Sequence, residues 1–231
     1  ISYNSIIDNN NHGVYLNNSN DYFTISGNTI TGNNAHGIKT LYSSGDIIDN
    51  LIVDNGDYGL YLDNMNGDCV VRNNTIDGHT EAGLYWNSAS SSSYTLTATN
   101  NSITNNNNYG MNIQNGGNYN TIAYNNAYNN TTEPNYNYYG DLPDGVGIST
   151  EINNNGTVCD IAYNISANPL FIDPDNGNYY IEKESPNIDA GDPSLFDSDG
   201  TVSDIGRYPY QYDLLPTPSS IDFGLITVGT D

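Results

Sequence analysis

An asparagine returns at one fixed place along the first half of the chain, and the period it sets leaves few folds open. Asn4, Asn28, Asn50, Asn74, Asn101 and Asn125 are separated by 24, 22, 24, 27 and 24 residues. Two residues after them stand Ile6, Ile30, Ile52, Ile76, Ile103 and, in the last copy, Ala127. Each of the first five copies then brings a glycine: Gly13, Gly37, Gly59, Gly83 and Gly110. The clearest copy runs from Ile47 to Cys69. A period in the twenties is the mark of a solenoid, in which each lap buries its apolar face only against its neighbours.

Each copy holds three short apolar alternations separated by Asn, Gly and Asp, and none has helical spacing. Short strands with turn residues between them suit a coil with three corners per lap. Successive laps then stack as parallel strands ~4.8 Å apart, so residues of one column sit on each other. The alternation predicts four inward columns. One is Val14, Ile38, Leu60, Leu84 and Met111; a second is Leu16, Thr40, Leu62, Trp86 and Ile113. A third is Ile1, Ile25, Ile47, Val71, Ala98 and Ile122, and the isoleucines after the asparagines form the fourth. The corner asparagines are expected to bond amide to amide up the stack. The glycine ahead of the Val14-type strand is expected to take a conformation that a Cβ would resist.

This pattern resembles the right-handed parallel β-helix repeats of the pectate-lyase-like superfamily over residues 1 to about 130. The resemblance implies an all-β fold, a right-handed parallel β-helix of about seven coils with a C-terminal cap. It leaves function open, because the fold hosts lyases, hydrolases, epimerases, tailspikes and non-catalytic surface proteins.

Further on, the period breaks over residues 131–157, where Pro134, Tyr136, Tyr138, Tyr139 and Pro143 mark an irregular excursion. The coil is expected to resume at Cys159 and Asn164. Then come Asn168-Pro169-Leu170-Phe171-Ile172-Asp173-Pro174, Asn176-Gly177-Asn178-Tyr179, Ser185-Pro186-Asn187-Ile188-Asp189-Ala190-Gly191 and Asp199-Gly200-Thr201 with Asp204-Ile205-Gly206. These resemble the C-terminal closing segment of bacterial surface β-helix proteins. They imply a capping segment over 168–212 and a secreted or cell-surface bacterial protein. Residues 1–212 are therefore one β-helix domain. Residues 213–231 read as a linker and the first strand of a following domain, since Ser220 to Gly229 resembles the opening of an immunoglobulin-like fold. Other domains of the same chain are the partners this implies. Ile1 already occupies an inward column, so further coils are expected upstream.

Composition narrows the partners. With 4 basic and 27 acidic residues the formal charge is −23. That field opposes nucleic acid, anionic lipid and polyuronate chains. No apolar run of 18 residues offers a membrane span. Cys69 and Cys159 each lie five residues before a corner asparagine, Asn74 and Asn164. Both are expected inside, as free thiols about three coils or ~14 Å apart, too far for a disulfide.

The outward column beside the Val14 strand reads Tyr15, Lys39, Tyr61, Tyr85 and Asn112; the next reads Asn17, Leu41, Asp63, Asn87 and Gln114. Tyrosine faces there could pack on sugar C–H surface while hydroxyls bond the sugar, or the rings could simply stack on each other. The ligand-binding candidates are Tyr15, Lys39, Tyr61, Asp63, Tyr85 and Asn112, with neutral glycans as ligand. A polysaccharide lyase needs a base and a cation, and a glycoside hydrolase needs two carboxylates. For either enzyme the candidates are Lys39, Asp63 and Arg72; Arg72 shares its column with Ser26 and Ile48 and is not expected to reach Lys39. His12 and His36 precede Gly13 and Gly37 and are expected to stack, close enough for a metal or without one. Asp197, Asp199 and Asp204 flank a turn at Gly200 and are candidates for calcium, or for turn hydrogen bonds alone. No cofactor is otherwise implied. The preferred reading is a non-catalytic extracellular module, structural or glycan-binding; the alternative is a carbohydrate-active enzyme. Three or more ionisable groups converging on Lys39 or Asp63 would favour the enzyme.

Overall fold

The computed structural model of the chain describes residues 1–19, 21–88, 94–131 and 136–211. Residues 213–231, with the expected linker and immunoglobulin-like strand, lie outside the described residues, as does most of the serine-rich stretch after Trp86. Three parallel sheets run the length of the solenoid, with six, six and five strands. The first contains Ser5–Ile7, Thr29–Thr31, Leu51–Val53, Thr75–Asp77, Ser102–Thr104 and Asn126–Tyr128. The second contains Val14–Asn17, Ile38–Leu41, Leu60–Met65, Leu84–Ser88, Met111–Ile113 and Tyr138–Gly140. The third contains Phe23–Ser26, Gly45–Ile48, Cys69–Arg72, Leu96–Thr99 and Thr121–Ala123. This is a parallel β-helix of five complete turns and a partial sixth, not about seven.

The register follows the expected columns. Val14, Ile38, Leu60, Leu84 and Met111 pair in sequence across neighbouring strands, and all are buried. Tyr138 extends that column, so the irregular stretch contributes a strand to the solenoid before leaving it. Ile25, Ile47, Val71, Ala98 and Ile122 form the third column. Ile1 stands at its head and is 51% exposed. Leu142, Val146 and Ala162 join the same apolar cluster at the far end and cover it.

Two polar lines fix the corners. Side-chain amides pass a hydrogen bond from Asn4 to Asn28, Asn50, Asn74, Asn101 and Asn125, each 2.9–3.1 Å. The line continues to Asn164, whose Nδ2 donates to both carboxylate oxygens of Asp160. The residue before each of these asparagines is left-handed, for example Asp49 at φ 56° and Asn100 at φ 56°. Asn, Asp and Gly tolerate that bend best. A second line, which sequence reading missed, runs Asn9, Asn33, Asn55, His79, Asn106, Asn130 and Asn137. His79 fits because its Nδ1 accepts from Asn55 N at 3.1 Å while Nε2 lies 3.1 Å from Ile52 O, as a ladder amide would. Burial lowers its pKa to about 4, so it is neutral.

Gly37 carries a correction. Its φ is not left-handed; a Cβ there would meet Ile52 Cγ2 at 2.6 Å and Gly59 O at 2.8 Å. The glycine is required by the close approach of the next coil.

Residues 168–211 turn back and lie along the outer face of the first sheet. Asn187 exchanges hydrogen bonds with Asn126 and Ser102, Gly206 N donates to Asn100 O, and Arg207 N donates to Thr75 Oγ1. The Arg207 guanidinium reaches Asn28 O at 2.8 Å, Thr29 Oγ1 and Gly27 O. Tyr179 packs on Leu51 and Val53 and donates to Asp77 Oδ2 at 2.9 Å. Leu51 and Val53 point away from the core yet are buried, because this strap covers them. Both cysteines are buried free thiols, and burial raises both pKa values. Cys159 sits in a separate small cluster, where Val158–Cys159 pairs antiparallel with Glu151–Ile152, so it occupies no solenoid column.

Candidate functional site

The outward side of the second sheet carries a strip of rings. Tyr15, Lys39, Tyr61, Tyr85 and Asn112 pair in sequence, as the alternation predicts. The imidazoles of the neighbouring column lean into the same line. His12 stacks on His36 at 4.7 Å, His36 on Tyr61 at 4.8 Å and Tyr61 on Tyr85 at 4.9 Å, with planes within 14° of parallel. These separations equal the strand spacing, so the backbone sets the stack. Tyr58 meets His36, Tyr61 and Tyr85 edge-on. Lys39 Nζ sits over the rings of Tyr15 and Tyr61, 5.7 and 5.4 Å from their centroids. Farther along, Tyr109 stacks on Tyr139 at 4.3 Å.

This geometry changes what the tyrosines can offer. Tyr61 has His36 on one face and Tyr85 on the other, so a sugar cannot lie on it. Ring edges, hydroxyls and the terminal faces remain. The phenols keep their protons, since burial, the Asp63 charge and neighbouring phenols raise Tyr61 to about 12. Beside the rings, Asp63 accepts from Asn87 Nδ2 at 2.7 Å and Asn64 Nδ2 at 2.9 Å. Asn115 Nδ2 donates to Asn87 and prolongs this amide row. Asn112 is only 9% exposed and accepts from Gln114, so it offers little to a ligand.

Lys39 has His12 and His36 within electrostatic reach, and Asp57 lies beside the imidazoles, 3.5 Å from His36 Nδ1. The convergence on Lys39 is of two imidazoles. The protonation states decide its meaning. His12 Nδ1 accepts from His36 N at 3.3 Å, and His36 Nδ1 accepts from Tyr58 N at 3.4 Å. In neutral imidazole the other nitrogen then carries the proton. Nδ1 is thus engaged in both rings, and His36, 8% exposed, is buried. Burial, His12 and Lys39 lower His36 to about 4, so its 3.5 Å approach to Asp57 is no ion pair at neutral pH. Parallel rings with Nδ1 occupied also do not converge on a metal. Arg72 lies on the third sheet, paired with Ile48 and Thr99, and does not join Lys39 and Asp63.

The calcium candidates hold backbone. Asp197 accepts from Asp204 N at 2.9 Å, Asp199 from Thr201 N at 2.9 Å, and Asp204 from Asp189 N and Tyr210 N at 2.7 Å each. Burial raises Asp204 to about 7. Among the described residues no three His, Cys, Asp or Glu groups are placed to hold a metal. Among them, too, no helix is long and apolar enough to cross a membrane. A cavity of about 500 Å³ lies elsewhere, on the strap, lined by Ile172, Tyr180, Glu182 and Lys183.

His12 and His36 were legible as a stacked pair but not as rungs of the tyrosine line. The available signal was their place two residues ahead of the inward strand, shared with Tyr58 and Tyr109.

A family model supports the architecture. No curated protein matches the chain. The crystal structure of pectate lyase Pel9A is similar at 15% identity and a TM-score of 0.47, over 91% of this chain and 65% of that one. The chain therefore spans less than two thirds of that lyase, and nothing about activity is carried across. The family model for the right handed beta helix region matches residues 1–159. With more than half of its length matched and three parallel sheets in register, the chain belongs to the right-handed β-helix family.

Proposed function

We propose that this chain is a non-catalytic module of a larger secreted or cell-surface bacterial protein, structural and/or glycan-binding, whose ring strip meets neutral glycans. The observation that carries the reading is the row of His12, His36, Tyr61 and Tyr85 beside the Asp63, Asn87 and Asn115 row. It lines up phenol O–H and amide groups at one strand spacing along a rigid axis. A hydroxylated chain lying along the axis can exchange hydrogen bonds with such a row. The −23 charge disfavours polyuronates, and screening over ~8 Å leaves that field active close to the surface. Each contact contributes about 1 kcal/mol, so affinity falls in the micromolar to millimolar range. The reading requires no cofactor.

The lyase alternative is favoured by one observation, the approach of His12 and His36 to Lys39 with Asp57 beside the imidazoles. The occupied Nδ1 atoms and the burial of His36 weigh against a base there. A glycan array with the wild type and Tyr85→Ala, run beside an absorbance assay for unsaturated uronate products, separates the two. Neutral glycan binding lost in Tyr85→Ala is the expected result. Cleavage of a polyuronate that disappears in Lys39→Ala overturns the proposal. Absence of any glycan binding leaves a structural spacer.

A further inference from the structure

The chain contains five Asn–Gly pairs: Asn55–Gly56, Asn66–Gly67, Asn115–Gly116, Asn155–Gly156 and Asn176–Gly177. In such a pair the glycine nitrogen has no Cβ beside it to hinder its approach to the asparagine amide carbon. Attack requires two freedoms. The glycine N–H must not be held by an acceptor, and the asparagine amide must be free to turn towards it. The coils grant these freedoms unequally.

Four pairs are tied. Asn55 is 1% exposed with its amide in the second polar line, and Gly56 N donates to Asn33 O at 2.8 Å. Asn155 Nδ2 donates to Pro186 O and Ile188 O at 2.9 and 2.7 Å, and Gly156 N donates to Asn153 O. Asn176 Nδ2 donates to both carboxylate oxygens of Asp173, and Gly177 N donates to Pro174 O. Asn115 Nδ2 donates to Asn87 Oδ1 and Ser88 O, and its own carbonyl accepts from Asn120 Nδ2. The fifth pair is different. Asn66 is exposed, at the corner between the strands Leu60–Met65 and Cys69–Arg72. Among the described residues neither its side-chain amide nor Gly67 N has a hydrogen-bond partner; its own N–H donates to Ser43 O at 3.4 Å. The register also keeps the unhindered successor in place, since a Cβ on Gly67 would meet Ser44 Cβ of the preceding coil at 2.5 Å.

We infer that Asn66–Gly67 is a site of spontaneous covalent modification, deamidation through a succinimide, and that the other four Asn–Gly pairs resist it in the folded chain. Gly67 N loses its proton to solvent base and bonds to Asn66 Cγ. The Cγ–Nδ2 bond breaks, and Nδ2 leaves as ammonia. Water then opens the five-membered ring. Cleavage of the new bond to Cγ gives aspartate. Cleavage at the original backbone carbonyl gives isoaspartate, in which the main chain runs through the side chain. No atom is oxidised or reduced, and no cofactor takes part. Either product adds a negative charge two residues from Asp68, and isoaspartate also lengthens the corner by one methylene. Met65 and Cys69 are buried on either side and hold the flanking strands, so the change stays in the corner. The inference uses no residue of the ring strip and stands whether or not the strip binds polymer.

Incubation of the full chain at mildly alkaline pH, followed by peptide mass spectrometry and an enzymatic isoaspartate assay, tests it. The amide-to-acid mass change is expected at Asn66 about tenfold faster than at any other Asn–Gly pair, the factor that one retained hydrogen bond supplies. In denaturant the five rates should come together, because the fold no longer holds four of them. Asn66→Gln, at an exposed position, closes a six-membered ring far more slowly and should remove the isoaspartate signal from the folded chain. Modification of Asn66 no faster than that of Asn55, Asn115, Asn155 or Asn176 in the folded chain overturns the inference. So does an isoaspartate signal in Asn66→Gln equal to that of the wild type. A rate difference that persists in denaturant would belong to local sequence rather than to the fold, and overturns it too.

Discussion

The solenoid of residues 1–131 and the strap of residues 168–211 run along much the same length of the molecule, yet they are held in opposite ways. Every solenoid strand meets its neighbour through a repeated register, so one rule places all of them. The strap has no such rule. It touches Asn126, Ser102, Asn100, Thr75 and Asn28 one at a time, through contacts separated by up to 180 residues in sequence. Order in the first region is collective, and in the second it is a sum of separate anchors. The two should therefore fail differently.

The sharpest way to break the solenoid is a charge in its column. Leu60→Asp puts a carboxylate at a position with 0% exposure between Ile38 and Leu84. A cost on the order of 5 kcal/mol is expected, with loss of the cooperative transition in circular dichroism melts. A folded variant with a small shift would deny that the columns act together.

The second prediction asks whether one rung can be exchanged. His79 has a pKa of about 4 when folded against 6.5 for the free side chain. The unfolded chain takes up the proton first as pH falls. The stability His79 contributes is thus complete above about pH 6.5 and is lost towards pH 4, on the order of 3 kcal/mol in total. His79→Asn restores an all-asparagine line and should flatten the pH dependence across that window in denaturant titrations. Equal pH slopes for both proteins would refute it. Asp204 contributes with the opposite sign, because its raised pKa makes stability fall as pH rises between about 4 and 7. It is common to both proteins and cancels in the difference.

For the strap, Arg207→Ala removes three hydrogen bonds to coil backbone and side chain. About 1–3 kcal/mol should be lost locally. Hydrogen exchange should speed up in the neighbouring strap while the Ile52 and Leu60 amides stay protected. Equal loosening of both regions would mean that the strap and the solenoid form one cooperative unit. The smallest effect belongs to the outer strip: Tyr85→Ala should cost about 0.5–1.5 kcal/mol, since one stacked ring is lost and no core atom moves.

Legibility divides along the same line. The asparagine and isoleucine registers gave every inward column, because period and alternation act at each lap. The second polar line stayed hidden behind His79, whose imidazole imitates an amide that the pattern asked for. The strap had one trace in the sequence, Leu51 and Val53 standing apolar on an outward face, and that trace says something covers them without saying what. The tyrosine column was legible, but its stacking was not, since the spacing cannot say whether rings face a ligand or each other.

The corner line that ends at Asp160 has a direction. In every link from Asn4 onward the Nδ2 group donates towards the following coil, and Oδ1 faces back. Aligned amide dipoles in a low-dielectric interior polarise one another. The row is therefore a one-dimensional polar array, negative at the first coil and positive at the last. Its positive terminus rests on the carboxylate of Asp160, which is 1% exposed and also accepts from the N–H groups of Gly147, Ala162 and Asn164. An anion closes this array as one closes the N-terminus of an α-helix. Stacking in such an array is vectorial: a coil fits on its open face only with its amides pointing the same way, and Asp160 is where that propagation stops.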